Sequence, residues 1–244
     1  MTIRVIYRIS DGGQTDPNGN KQNKGRPDYF NKRKLLESCI GIFGISNMYI
    51  VADNVTDDTL NYLTTLMNDT TRIFKTEFKS GALSFLYAVE LAIRTFNDNE
   101  IVYLVEDDYI HRKNCDLVIE DAFNNPEINY VTAYDHPDKY INPSNGGNPY
   151  VQNGAEMSKV FVGTYAHYKI TNSTTMTFAC RVNTLKLHYE IFQKHCHTGY
   201  PHDFEMFIDL YKNNNICLVS SIPAFSTHCE SAVMSPLINW ENEI

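Results

Sequence analysis

The sequence predicts an α/β fold, a mostly parallel sheet with helices on both faces, in a single domain of 244 residues. Three observations predict it. Five short runs rich in β-branched and aromatic residues are apolar enough to be buried on both faces, as strands of a parallel sheet are. Segments between them carry apolar residues at the i, i+3, i+4 spacing of a helix packed on one side. Strands alternating with helices pack as a parallel sheet covered on both faces.

In chain order, Ile3 to Ile9 (IRVIYRI) reads as the first strand. Ser10 to Asp28 follows as a long loop rich in Gly, Asn and Pro, of a length that serves as a functional lid or stays disordered. Tyr29 to Phe43 reads as a helix through Leu35, Leu36, Cys39, Ile40 and Phe43, with Gly41 and Gly44 weakening its end. Met48 to Ala52 is the second strand. A stronger helix starts at Ser80 as N-cap, with Ala82, Phe85, Leu86, Val89, Ala92, Ile93 and Phe96 on one stripe. Ile101 to Val105, Asn129 to Ala133 and Ile216 to Ser220 complete the strands. Tyr134 to Ser158 is the second long Gly-, Asn- and Pro-rich stretch, and it divides residues 1–135 from 136–244.

A formal net charge of −8 argues against a nucleic-acid partner held on a broad basic face. No apolar run approaches the roughly 18 to 20 residues of a membrane span. The start MTIRVIYRIS lacks a signal-peptide core, so a soluble, cytoplasmic protein is expected, in the host cytoplasm if the source is viral. The six cysteines form no C-x-x-C pair and read as reduced thiols in apolar segments.

Ligands of open parallel sheets bind outside the carboxyl ends of the strands. There the chain places Glu106, Asp107 and Asp108 in a row, directly behind Ile101 to Val105. Three adjacent acids repel one another unless a cation sits among them, and a divalent metal holding a phosphate is the economical answer. In an extended segment Glu106 and Asp108 project to one side, one toward a ribose or metal-bound water and the other onto the metal. The plainer reading is a solvated turn, or a cap for a helix near Asp116.

Strand, acidic triplet and helix in IVYLVEDDYI, preceded by the helix that begins SGALSFLYAVELA, resemble the nucleotide-sugar-binding half of GT-A-type glycosyltransferases. The resemblance implies a GT-A-like, Rossmann-type sheet, with residues 1–135 as the nucleotide-sugar-binding half and 136–244 as the acceptor-binding and catalytic half. It also implies Mn²⁺ (or Mg²⁺) on Asp108, Glu106 and His228, the imidazole favouring manganese. Arg8, Ser10 and Asp53 are then placed at the nucleotide base, Lys32 and Arg33 near the diphosphate, and Asp107 with Glu106 against the donor. Asp203, in TGYPHDFEMFIDLY, resembles the base of inverting members, with His202 where that family often has a further acid. The implied partners are a nucleoside-diphosphate sugar and a glycan or other hydroxyl acceptor, and the chain's size suits the small viral and phage enzymes.

Each residue also has a structural reading: Arg8 as a surface cation, Asp53 as a turn residue, Lys32 and Arg33 as a solvated helix face. Asp203 reads equally as an N-cap with Glu205 in the first turn, and His228 as a hydrogen-bonded structural histidine. HCHTGYPH lacks the second Cys/His pair of a structural zinc site. Rival functions are a sugar nucleotidyltransferase, for which SDGGQTDPNGNK is a poor phosphate loop, and a catalytically silent nucleotide-sugar or carbohydrate binder. A G-x-S-x-G nucleophile elbow is absent.

Overall fold

A computed structural model describes residues 2–12 and 25–244. The elements are β1 (Ile3–Ile9), α1 (Lys32–Phe43), β2 (Met48–Asp53), α2 (Asp57–Met67), β3 (Ile73–Thr76), α3 (Gly81–Thr95), β4 (Ile101–Glu106), β5 (Tyr109–His111) and α4 (Cys115–Ala122). They continue as β6 (Tyr130–Thr132), β7 (Val151–Gln152), β8 (Ala155–Glu156), β9 (Val160–Val162), β10 (His167–Ile170), β11 (Phe178–Arg181), α5 (Val182–His195), α6 (Asp203–Asn214), β12 (Leu218–Ile222) and β13 (Ser226–His228). Nine strands form one sheet in the order β3-β2-β1-β4-β11-β6-β12-β10-β9. Only β11 and β10 run against the rest, so the sheet is mostly parallel.

Successive residues of the central strands feed two different cores. Val5, Tyr7, Tyr103 and Val105 pack with Leu36, Cys39, Val118 and Ile119 of α1 and α4. Their neighbours Ile6, Val102 and Leu104 pack with Phe85, Val89, Phe192 and Phe207 of α3, α5 and α6. Each side chain leaves water on one face or the other, which at about 1.5–3 kcal/mol per large apolar residue makes a strand with no polar alternation the stable choice.

Caps fix where the helices start. Asn31 accepts from the backbone N–H groups of Arg33 and Lys34, so α1 begins at Lys32. Tyr29 and Phe30, expected in that helix, instead pack with Leu35, Ile110, Cys229 and Trp240. Ser80 caps α3 as expected, accepting from Leu83.

Three differences from the sequence reading bear on the site. β11 was not expected, and it inserts antiparallel between β4 and β6, pairing Phe178 with Leu104. β5 intervenes between the acidic triplet and α4, and pairs antiparallel with β13 so that His228 stands opposite Tyr109. The stretch 134–158 is built from two 3₁₀ turns, Pro137–Tyr140 and Pro143–Asn145, and the β7–β8 hairpin. The other long stretch, Ser10 to Asp28, falls mostly outside the described residues.

All six cysteines are free thiols. Among the described residues, no helix is long and apolar enough to cross a membrane.

Candidate active site

The carboxylate triplet lies where β4 runs out of the sheet, and each acid meets a cation of its own. Cross-strand register sets Arg8 beside Glu106, and its Nη2 donates to Glu106 Oε1 at 2.9 Å. Lys32, the first residue of α1, reaches Asp107 Oδ2 at 2.8 Å and the Ser10 carbonyl at 2.5 Å. Arg26 Nη2 lies 2.6 Å from Asp108 Oδ2. Two unit charges about 4 Å apart interact by about 4 kcal/mol at an effective dielectric near 20, so one cation per acid offsets the repulsion within the triplet. Burial pushes the Asp107 carboxyl up; Lys32 pulls it back, while Asp108 raises it further.

Asp108 has a second partner. His228 Nε2 is 3.0 Å from Asp108 Oδ2, and the Cys229 backbone N–H donates to the Asp108 carbonyl at 2.7 Å. The other imidazole nitrogen, Nδ1, faces Glu230 Oε2 at 3.7 Å. Among the described residues no group of three or more His, Cys, Asp or Glu is arranged to hold an ion. Asp108 and His228 offer two ligands to a divalent ion, which would need phosphate or water oxygens for the rest.

Asp203 opens α6, and its Oδ2 accepts from the backbone N–H groups of Thr174 at 3.0 Å and Thr175 at 2.8 Å. The same loop is tied to the triplet. Tyr109 donates its hydroxyl toward the Thr174 and Thr175 carbonyls at 3.3 Å, and Thr177 Oγ1 accepts from the Glu106 backbone at 3.2 Å. Thr175 and Met176 both adopt positive φ, 49° and 58°. Left-handed backbone at a β-branched residue costs about 1–3 kcal/mol and persists only where its surroundings force it. Here the Asp203 carboxylate and the Tyr109 hydroxyl supply that force.

The other expected residues lie as follows. The Arg8 guanidinium is turned to Glu106 and the Gly81 carbonyl. Ser10 donates its backbone N–H to Asp107 at 2.8 Å. Asp53 is buried and accepts from Thr76 Oγ1 and the Phe78 backbone, a bracket between β2 and β3. Arg33 points away from the triplet, pairs with Asp58 of α2 and stacks over Tyr62. His202 precedes Asp203, meets Thr198 Oγ1 at 3.0 Å and stacks on His197. His195 is paired with Asp209 at 2.9 Å.

Arg26, Tyr109, Thr174 and Thr175 were missed from sequence. The cations of the triplet come from 98, 75 and 82 residues away. The usable signal was the charge imbalance itself, which demands basic partners without naming them.

No protein-family model matches the chain, and no curated protein sequence does. Solved structures do. S. aureus TarS 1-349 matches with a TM-score of 0.53 and 17% identity over 93% of this chain and 60% of that one. TarS 1-349 in complex with UDP matches with a TM-score of 0.50 and 16% identity over 93% of this chain and 60% of that one. The chain thus spans 60% of the length of these TarS structures. At this identity the likeness shows a shared mixed α/β fold.

Proposed function

We propose that the chain is a glycosyltransferase that binds a nucleoside-diphosphate sugar at the carboxyl rim of the sheet and transfers the sugar, with inversion, to a hydroxyl of a glycan or related acceptor. The observation that carries this reading is the loop 174–177, which ties Asp203 to the end of β4 and its acidic triplet. The shared fold with TarS, one of whose structures holds UDP, supports the same reading.

In this reading Asp108 and His228 would hold Mn²⁺ (or Mg²⁺), with Glu106, the third expected ligand, turned to Arg8. When bound, the ion offsets negative charge on the departing diphosphate. Lys32, between Asp107 and the Ser10 carbonyl, adds positive charge at the same rim. Asp203 takes the proton from the acceptor hydroxyl. Both backbone donors converge on Oδ2, which fixes the carboxylate and leaves Oδ1 to receive that proton.

The test is release of nucleoside diphosphate from a panel of sugar donors, with and without Mn²⁺ and a glycan acceptor. Turnover on any donor that Asp203→Asn abolishes while donor binding survives supports the reading. Donor binding without turnover on any acceptor would point to the silent binder instead.

A further inference from the structure

Arg26 stands on the one carboxylate of the rim that also faces a histidine. Its Nη2 is 2.6 Å from Asp108 Oδ2, the oxygen that His228 Nε2 meets at 3.0 Å. Its Nη1 donates to the Cys229 carbonyl at 2.6 Å, and the guanidinium lies 4.7 Å over the Phe30 ring. The Arg26 side chain is 23% exposed and that of Asp108 is 8% exposed, so the pair sits at the boundary with water. A cation drawn to the Oδ2 that His228 faces meets an oxygen already committed to a guanidinium.

From this geometry we infer that Arg26 is a resident counter-cation of Asp108, and that a divalent ion binds there in exchange for it and together with a nucleoside diphosphate. This rests on the donor-binding reading above. With Arg26 in place, the Asp108 charge is already neutralised and holds little attraction for a bare ion. Displacing the guanidinium gives up a charge-assisted hydrogen bond, and the protein offers no cage of three ligands in return. A diphosphate supplies both missing parts: oxygens for the ion, and an anion for the freed guanidinium, whose planar fork suits phosphate.

The backbone around Arg26 is held independently of its side chain. Ser231 donates its N–H to the Gly25 carbonyl at 3.0 Å, and Tyr29 and Phe30 pack into the Trp240 cluster. The side chain can therefore leave Asp108 while its segment stays docked.

The experiment measures free Mn²⁺ by electron paramagnetic resonance during titration of the full chain, with and without UDP. Wild type is expected to bind Mn²⁺ weakly alone and far more tightly with UDP. Arg26→Met is expected to bind Mn²⁺ alone about 10-fold more tightly than wild type, the worth of one charge-assisted bond. UDP should then add less than it does in wild type. Arg26→Lys keeps the charge but cannot bridge Asp108 and the Cys229 carbonyl, and should fall between the two. Asp108→Asn should remove Mn²⁺ binding in all conditions. Equal Mn²⁺ affinity of wild type, Arg26→Met and Arg26→Lys without UDP, with UDP still tightening binding through Asp108, would overturn the exchange and leave the donor reading standing. If UDP neither binds nor tightens Mn²⁺ in any variant, the donor reading falls and the exchange with it.

Discussion

The acidic rim and the polar network beneath residues 134–158 both combine lysines or arginines with carboxylates, but they are wired differently. At the rim each acid meets a different cation among the described residues, from β1, α1 or the segment before α1, and Arg26 and Lys32 remain 23% and 30% exposed. In the network the charges are shared and enclosed. Lys169 Nζ lies 3.0 Å from Asp135 and 3.5 Å from Glu156, while the Tyr140 hydroxyl joins Lys169 to Asp135. Lys139 Nζ bonds Asn172 and Ser173, each at 2.7 Å, and Asp138 lies 3.3 Å away. Burial holds the Lys139 ammonium below its usual range and pushes the Glu156 carboxyl up. Pairs beside water can exchange a partner for a ligand. A shared, enclosed network cannot lose a member without stranding the others, so it serves to order its loop.

The widest separation should come from Asp203→Asn. Transfer is expected to fall about 10²- to 10⁴-fold, the usual worth of a positioned general base, with donor affinity unchanged in equilibrium binding. Lys169→Met should next strand Asp135 and Glu156 and lower stability in urea unfolding by about 3–5 kcal/mol, the cost of breaking a buried pair. A loss below about 1 kcal/mol would show that the network is not the buttress of the loop.

His111 lies on β5 immediately behind the rim, its Nε2 3.0 Å from the Tyr103 hydroxyl, and burial pushes its pKa down to about 3. Between that value and the ordinary value near 6.5 the unfolded chain binds the proton that the folded chain refuses. Stability therefore falls as pH drops through this window, by up to about 1.4 kcal/mol per pH unit from this group. His111→Phe should flatten that slope in unfolding curves taken from pH 7 to 4.

Lys32→Met leaves the Asp107 carboxylate without its cation and should cost about 1–3 kcal/mol of stability. Its donor affinity should nonetheless fall about 10-fold, as measured by calorimetry with UDP. This is the reverse of the Lys169 pattern. Arg33→Ala, which breaks an exposed pair with Asp58, should change stability by no more than about 0.5 kcal/mol and leave donor affinity alone.

Much of the scaffold was legible because it depends on local patterning. The apolar runs at 3–9, 48–52 and 101–105 are strands, the last two each longer by one acid, and the Ser80 cap starts its helix where the stripe begins. β12 starts at Leu218, two residues later than expected, because Ile216 and Cys217 lead in from α6 and Cys217 bonds Asn129 at the start of β6. β11 escaped notice because TTMTFAC is short and carries no alternation. Its strand state is decided by the exposed edges of β4 and β6 that it joins.

The site was legible in part. The acids were found because a row of carboxylates behind a buried strand is conspicuous, and Asp203 because it opens an amphipathic helix. Arg26 was hidden in a Gly- and Asn-rich stretch, and Thr174 and Thr175 act through backbone N–H groups that any residue carries. Arg33 and Lys32 are adjacent in sequence, yet the helix turns one toward Asp58 and the other toward Asp107.

By itself the sequence determined the strands β1, β2, β4, β6 and β12, the helices α1 and α3, and the acidic edge, since periodicity and charge are local properties of the chain. Only the tertiary structure decided which cation faces which acid, that His228 meets Asp108, and that one loop joins Asp203 to the triplet. Those choices depend on strand register and on contacts spanning about a hundred residues, where side-chain type sets no partner until the sheet has closed.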